Sequence, residues 1–150
     1  MATRYWTVSW EDFQTDARAL AVVLVETGPY KGIVAITRGG LIPATLLARA
    51  LDLRVVETVS IAAYDRDGAG EEALGEPVVM KHPHAAGDGE GFLLVDDLVD
   101  TGTTARLARA LLPKARFVCF YAKPSGRPLA DVVLKEVSQD TWIVLPWEKG

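Results

Sequence analysis

Three carboxylates and three threonine hydroxyls fall within one run of nine residues, Asp96-Asp97-Leu98-Val99-Asp100-Thr101-Gly102-Thr103-Thr104. The segment after it, Ala105 to Leu112, is rich in strong helix formers and stops at Pro113. Backbone N–H groups at a helix start, at the positive end of its dipole, suit a phosphate dianion. Thr101, Thr103 and Thr104 add hydroxyl donors there, and Gly102 lets the backbone come close. Asp96 and Asp97 would repel that phosphate; they suit sugar hydroxyls or a hard cation such as magnesium. The stretch therefore asks for a ligand with a phosphate at one end and hydroxyls beside it, a ribose 5-phosphate. It lacks the Gly-Lys-Ser/Thr ending of a nucleoside-triphosphate loop.

Further candidates lie elsewhere in the chain. Thr37-Arg38-Gly39-Gly40 directly follows the apolar run Gly32–Ile36. Either it is a plain turn with a surface arginine, or Arg38 and the amides around Gly39 form a second anion site. Lys123 stands at the end of Ala115–Tyr121 and just before Pro124, a position that favours pointing into a pocket over the usual surface lysine. Trp142 lies in the apolar run Trp142-Ile143-Val144-Leu145, where the pattern alone favours the core. His82-Pro83-His84 could suggest a metal pair, but the intervening proline and the lack of a nearby cysteine favour solvated loop histidines.

Elements must then bring these groups together. Phe92-Leu93-Leu94-Val95 reads as a strand buried on both faces, as in a parallel sheet, with the acidic pair capping its carboxyl end. Open α/β sheets place ligands at that edge. Gly32–Ile36, Val55–Ile61 and Ala115–Tyr121 read as further strands, so Arg38 and Lys123 would open on the same edge. A helix follows Gly40, with Pro43 near its start, and runs through Leu51. Ser9-Trp10-Glu11-Asp12 resembles a capping box. It opens a helix whose apolar face is Phe13, Ala17, Leu20, Ala21 and Leu24, ended by Gly28-Pro29. From position 64 to 90, Gly, Pro and charge punctuate the chain, the pattern of a functional loop, read here as a lid over the site.

A chain of 150 residues has the length of one domain, with 49% hydrophobic and 24% charged residues, the balance of a globular fold. No apolar run approaches the roughly 20 residues of a membrane span, and the amino terminus does not read as a signal peptide. The single cysteine, Cys119, excludes an internal disulfide, which fits a reducing cytoplasm. A net charge of −4 without a basic cluster argues against a nucleic-acid partner.

The motif at 96–104 resembles the phosphoribosyl-diphosphate loop of the type I phosphoribosyltransferases. Thr37–Leu41, Gly87–Phe92, Ala122–Pro124 and Gln139–Ile143 narrow the likeness, over about residues 5–147, to the bacterial xanthine-guanine family. The resemblance implies an α/β fold with a central, mostly parallel sheet flanked by helices, one domain over 1–150, and a base-binding hood at 127–150. It implies transfer of a phosphoribosyl group to N9 of guanine, xanthine or hypoxanthine, with Mg2+ on Asp97. Thr101, Gly102, Thr103 and Thr104 would hold the 5-phosphate, Asp96 and Asp97 the ribose hydroxyls, and Arg38 and Gly39 the diphosphate. In the family the peptide of that last loop is often cis. Asp100 would handle the N7 proton as catalytic acid/base; Lys123 would donate to the 6-oxo group; Trp142 would stack on the purine and the Ile143 backbone would read position 2. A homotetramer or homodimer, and loose association with the inner membrane, are also implied, although no basic amphipathic helix stands out. The loop arginine that the family brings to diphosphate has no clear match, Arg66 and Lys81 being the nearest basic residues. Two rivals remain open: an enzyme for hypoxanthine and guanine that ignores xanthine, and a regulator that keeps the fold but binds nucleic acid or a protein.

Overall fold

The computed structural model describes residues 3–63 and 75–148. In chain order it has β1 (Arg4–Thr7), α1 (Trp10–Val25), β2 (Gly32–Thr37), α2 (Leu41–Ala50), β3 (Val56–Ala62) and β4 (Val78–Lys81). There follow β5 (Phe92–Val99), α3 (Thr103–Leu111), β6 (Arg116–Ala122), β7 (Val132–Glu136) and β8 (Thr141–Val144). Six strands form one sheet in the order β4-β3-β2-β5-β6-β7, parallel throughout except for the antiparallel β3–β4 pair. The remaining two, β1 and β8, form a separate parallel pair.

Alternation along the central strands divides the core into two layers. Ile33 and Ala35 of β2, Leu93 and Val95 of β5, and Val118 and Phe120 of β6 pack toward α1, α2 and the β1–β8 pair. Val34 and Ile36, Phe92 and Leu94, and Phe117 and Cys119 face the other way, onto α3. Because both faces are covered, these strands are continuous apolar runs, which is why the sequence exposes them.

The helices begin where local chemistry demands. Ser9 Oγ accepts the Asp12 backbone N–H at 3.0 Å, and the Asp12 carboxylate accepts that of Ser9 at 3.4 Å, completing the expected capping box. Phe13, Ala17, Leu20, Ala21 and Leu24 are all buried, as the periodicity requires. One polar group joins them: Asp16 accepts the buried Tyr121 hydroxyl at 2.7 Å and pairs with Lys135 at 3.0 Å.

Three expectations need correction. β5 does not stop at Val95; pairing with β6 continues through Val99, so Asp96 and Asp97 belong to the strand and not to a turn. Main-chain bonding to a neighbour is indifferent to the side chain, so two carboxylates can end a strand when they open into a cleft. The helix after the motif starts at Thr103, two residues before the expected Ala105, so Thr103 and Thr104 form its first turn. Nor is 64–90 irregular throughout: Val78–Lys81 adds a strand at the sheet edge and His84–Ala86 a short 3-10 turn, while residues 64–74 of the expected lid, with Arg66, lie outside the described residues.

Candidate active site

Parallel strands bring their carboxyl ends to one edge, and there the loops after β2, β5 and β6 meet. The Asp96 and Asp97 carboxylates lie side by side against Gly39, yet they line two different cavities. Asp96 joins Asp100, Thr101, Gly102, Thr103 and Thr104 around a cavity of about 150 Å³. Gly102, in the left-handed region at φ 91°, turns the chain into α3, leaving the first amides of the helix at the cavity wall. Thr101 and Thr103 share a hydroxyl contact at 3.2 Å at its rim. This is the shape and donor set of a phosphate cradle.

Asp97 opens into the other, a cavity of about 540 Å³ with Arg38, Gly39, Leu41, Ile42, Trp147 and Glu148. The Thr37–Arg38 peptide is cis. Gly39 lies directly over the acidic pair: a Cβ there would stand 2.7 Å from Asp97 Oδ1, 2.8 Å from Asp97 Oδ2 and 2.9 Å from Asp96 Oδ1. The loop after β2 therefore touches the acidic end of β5, and only glycine lets it. Local backbone bonds fix the carboxylates: Asp96 Oδ1 accepts the Asp97 N–H at 2.8 Å, and Asp97 Oδ1 accepts that of Leu98 at 2.6 Å.

Burial pushes the Asp96 carboxyl well above the usual carboxylate range, and the adjacent Asp97 charge adds to the push. Burial also raises Asp97, with the Glu148 charge contributing. Among the described residues no ammonium or guanidinium pairs with either. Asp97 and Glu148 share one cavity with Arg38, and their carboxylate oxygens are hard donors of the kind a magnesium ion takes.

Beside this pair, the loop after β6 brings Lys123 under Asp100. Lys123 is only 5% exposed, and its Nζ donates to Asp100 Oδ2 at 3.1 Å. Gln139, to which the sequence assigned no role, donates from Nε2 to Asp100 Oδ1 at 2.7 Å. Glu148 was likewise missed. Its neighbours Pro146 and Trp147 signal only a segment packing on the core, and its approach to Asp97 spans a third of the chain.

Trp142 lines neither cavity. It is 58% exposed on β8, in register with the exposed Tyr5, so the core position suggested by its apolar neighbours is not where it lies. Ile143 alternates inward, its side chain buried with Leu145 in the α1–α2 layer. Since Arg4 and Val8 donate to the carbonyls of Asp140 and Val144, the Ile143 backbone groups face away from β1, along the open edge of β8.

The other candidates separate cleanly. His82 and His84 are exposed, their rings 5.7 Å apart, and among the described residues no cluster of three metal-ligating side chains occurs. Lys81 is occupied by Glu57 at 2.6 Å, on β3 and away from both cavities. Cys119 is buried, and burial raises its thiol well above the ordinary value, as expected of an inert core cysteine. Among the described residues no helix is long and apolar enough to cross a membrane.

Comparison with known proteins agrees with this geometry. Residues 9–149 match the model of the phosphoribosyl transferase domain family. The xanthine-guanine phosphoribosyltransferase of Gluconobacter oxydans is 57% identical over 146 residues, covering 96% of this chain and 84% of that protein. The enzyme of the same name from Desulfotalea psychrophila is 50% identical over 145 residues, 97% of this chain and 87% of its own. Among solved structures, a purine phosphoribosyltransferase from Pyrococcus horikoshii superposes with a TM-score of 0.79 at 27% identity, covering 97% of this chain and 95% of that one. The chain belongs to the phosphoribosyl transferase family, with its type I fold. Its curated relatives within that family are xanthine-guanine phosphoribosyltransferases, the branch to which the motifs at 37–41, 122–124 and 139–143 pointed.

Proposed function

We propose that this protein is a purine-salvage enzyme that moves the 5-phosphoribosyl group of phosphoribosyl diphosphate onto N9 of guanine, xanthine or hypoxanthine, releasing diphosphate. The observation that carries the reading is the contact of the Arg38–Gly39 loop with the acidic end of β5, the strand that leads into Thr101–Thr104, Gly39 lying against Asp96 and Asp97. A ligand with a phosphate at one end, a diol in the middle and a diphosphate at the other fits that junction, and the amide and hydroxyl cradle is separated from Arg38 by the pair.

On this reading Thr101, Gly102, Thr103 and Thr104 hold the 5-phosphate, while Asp96 and Asp97 accept from the ribose hydroxyls. Arg38 and the amide at Gly39 hold the diphosphate. Asp97, with Glu148 beside it, would hold magnesium, which when bound neutralises charge on the departing diphosphate. Breaking the bond at the sugar carbon leaves an oxocarbenium-like centre, and the carboxylates beneath it oppose that positive charge. Asp100 takes the N7 proton as N9 bonds to carbon. No protein nucleophile is needed, because diphosphate already leaves well.

Lys123 donates to the 6-oxo group; adenine presents an amino group there, leaving the ammonium facing a donor, so adenine is rejected. The exposed face of Trp142 stacks on the base, and the open-edge Ile143 backbone reads position 2. Residues 127–150 act as the base-binding hood of a single domain, and 64–90 as its lid. The chain works in the cytoplasm and assembles as a homotetramer or homodimer, consistent with exposed Val22, Val25, Val55 and Val56. Its partners are small molecules rather than nucleic acid.

Steady-state assay of guanine, xanthine, hypoxanthine and adenine with phosphoribosyl diphosphate, with and without magnesium, tests the proposal. It expects nucleoside monophosphate from the three 6-oxopurines and none from adenine. Silence on xanthine alone would narrow the substrate range; silence on all four would refute the activity.

A further inference from the structure

Gln139 stands in the turn between β7 and β8, three residues before Trp142, and reaches 39 positions back along the chain to Asp100. Its two ends are spoken for. Oε1 accepts the Ser125 backbone N–H at 3.0 Å, and Nε2 donates to Asp100 Oδ1 at 2.7 Å. The first contact settles the amide's orientation: a backbone N–H can only donate, so the oxygen faces Ser125 and the NH2 faces Asp100. Asp100 Oδ2 meanwhile takes the Lys123 ammonium at 3.1 Å.

We propose that Gln139 is a positioning residue that fixes the plane of the Asp100 carboxylate and couples it to the segment carrying Trp142. The inference rests on Asp100 as the acid/base group of the transfer. Its physical basis is a difference between the two donors. An ammonium is a compact charge with freely turning N–H bonds, so Lys123 holds one oxygen without setting the carboxylate's rotation. A second donor on the second oxygen, itself tied to the Ser125 main chain, sets it. The Asp100 side chain is 47% exposed, so packing does not do this instead. Lys123 must also donate to a bound base, which loosens its grip during turnover; Gln139 has no such second duty.

Glutamine is the side chain that fits both ends. A lysine or arginine could not accept from Ser125, and a glutamate would set a carboxylate against Asp100. Asp100 and Lys123 are the charged groups at this contact; the neighbouring Asp140 is occupied by the Ser138 hydroxyl.

Gln139→Glu is the informative variant, because it keeps the acceptor for Ser125 and, while ionised, replaces the donor to Asp100 with a like charge. At about pH 8 kcat with guanine should fall by about 10-fold or more, with KM for phosphoribosyl diphosphate and Tm little changed. As pH falls toward about 5, the introduced carboxylate gains a proton and can donate again, so the ratio of variant to wild-type kcat should rise. Gln139→Met, which lacks both groups, should show the loss without the recovery. Wild-type kcat in Gln139→Glu, or equal losses in both variants that do not change with pH, would overturn the positioning role. Asp100→Asn, measured alongside, separates the two layers of the argument. If it is impaired while Gln139→Glu is not, only the positioning role falls; if Asp100→Asn is unimpaired, the acid/base assignment falls and takes this inference with it.

Discussion

Replacing Gly39 with alanine adds one methyl group at the point where the loop after β2 touches the acidic end of β5. The new carbon would lie 2.7 and 2.8 Å from the two Asp97 oxygens and 2.9 Å from Asp96 Oδ1. Ordinary carbon–oxygen contact requires a retreat of about 0.5–0.7 Å, and in a close-packed site that strain is transmitted rather than absorbed. The carboxylates cannot simply swing away, because each also accepts a backbone N–H of its own strand. Either the Arg38 loop lifts or the pair rotates, and both separate the diphosphate anchor from the ribose anchor. A misplacement of about 1 Å in a catalytic constellation costs about 100-fold, so a retreat of half that or more predicts a loss of at least about 10-fold, bounded by about 100-fold, in kcat/KM for phosphoribosyl diphosphate. This corresponds to about 1.4–2.7 kcal/mol of transition-state stabilisation. Steady-state kinetics with guanine at saturation, varying phosphoribosyl diphosphate, give the number. The loss should fall on that substrate, with KM for guanine nearly constant. Unchanged kcat/KM in Gly39→Ala would refute the claim that both loops serve one ligand.

Other expectations follow from the same geometry. Trp142→Ala removes a stacking face worth about 1–3 kcal/mol per base, so KM for guanine should rise by about 5- to 150-fold while that for phosphoribosyl diphosphate holds; equal changes in both would argue against a base platform. Tyr121→Phe takes the hydroxyl from buried Asp16, leaving only Lys135, and should cost about 1–3 kcal/mol in denaturant unfolding without altering kcat at low temperature. The Lys81 hydrogen bond holds the Glu57 carboxyl at about 2, below its usual 4.5. A depressed folded-state pKa adds stability that is fully present above about 4.5 and lost as pH falls toward 2. Lys81→Met should therefore be less stable than wild type at neutral pH, and the gap should close on acidification in paired thermal melts. Asp97→Asn should raise the magnesium concentration needed for half-maximal rate, leaving the affinity for nucleoside monophosphate, which lacks diphosphate, less affected.

How much of this was legible in the sequence depends on the range of the forces involved. β2, β5 and β6 announce themselves because strands buried on both faces must be apolar at every position, and α1 because its capping box and apolar stripe are local. The carboxyl-terminal half of β5 was hidden by its polarity: Asp96 and Asp97 look like a turn because they line cavities rather than a core. The short strands β1, β4 and β7 have no distinctive pattern, and their pairing depends on neighbours distant in the chain. Trp142 misled for a related reason. An apolar run on a two-stranded sheet with one open face must leave every second residue exposed, and Trp142 is such a residue. The Asp100–Thr104 segment and the Thr37–Gly40 loop are contiguous motifs, and their places at the sheet edge could be read directly. Gln139 and Glu148 could not, because their partners Asp100 and Asp97 lie roughly 40 to 50 positions earlier and only the folded hood brings them near.

The most direct test is a crystal structure of the protein with guanosine 5′-monophosphate. The account places the phosphate on the amides and hydroxyls of Thr101–Thr104, the ribose hydroxyls on Asp96 and Asp97, and the 6-oxo group on Lys123 with the ring against Trp142. A phosphate seated instead beside Arg38, or a base remote from Lys123, would contradict it.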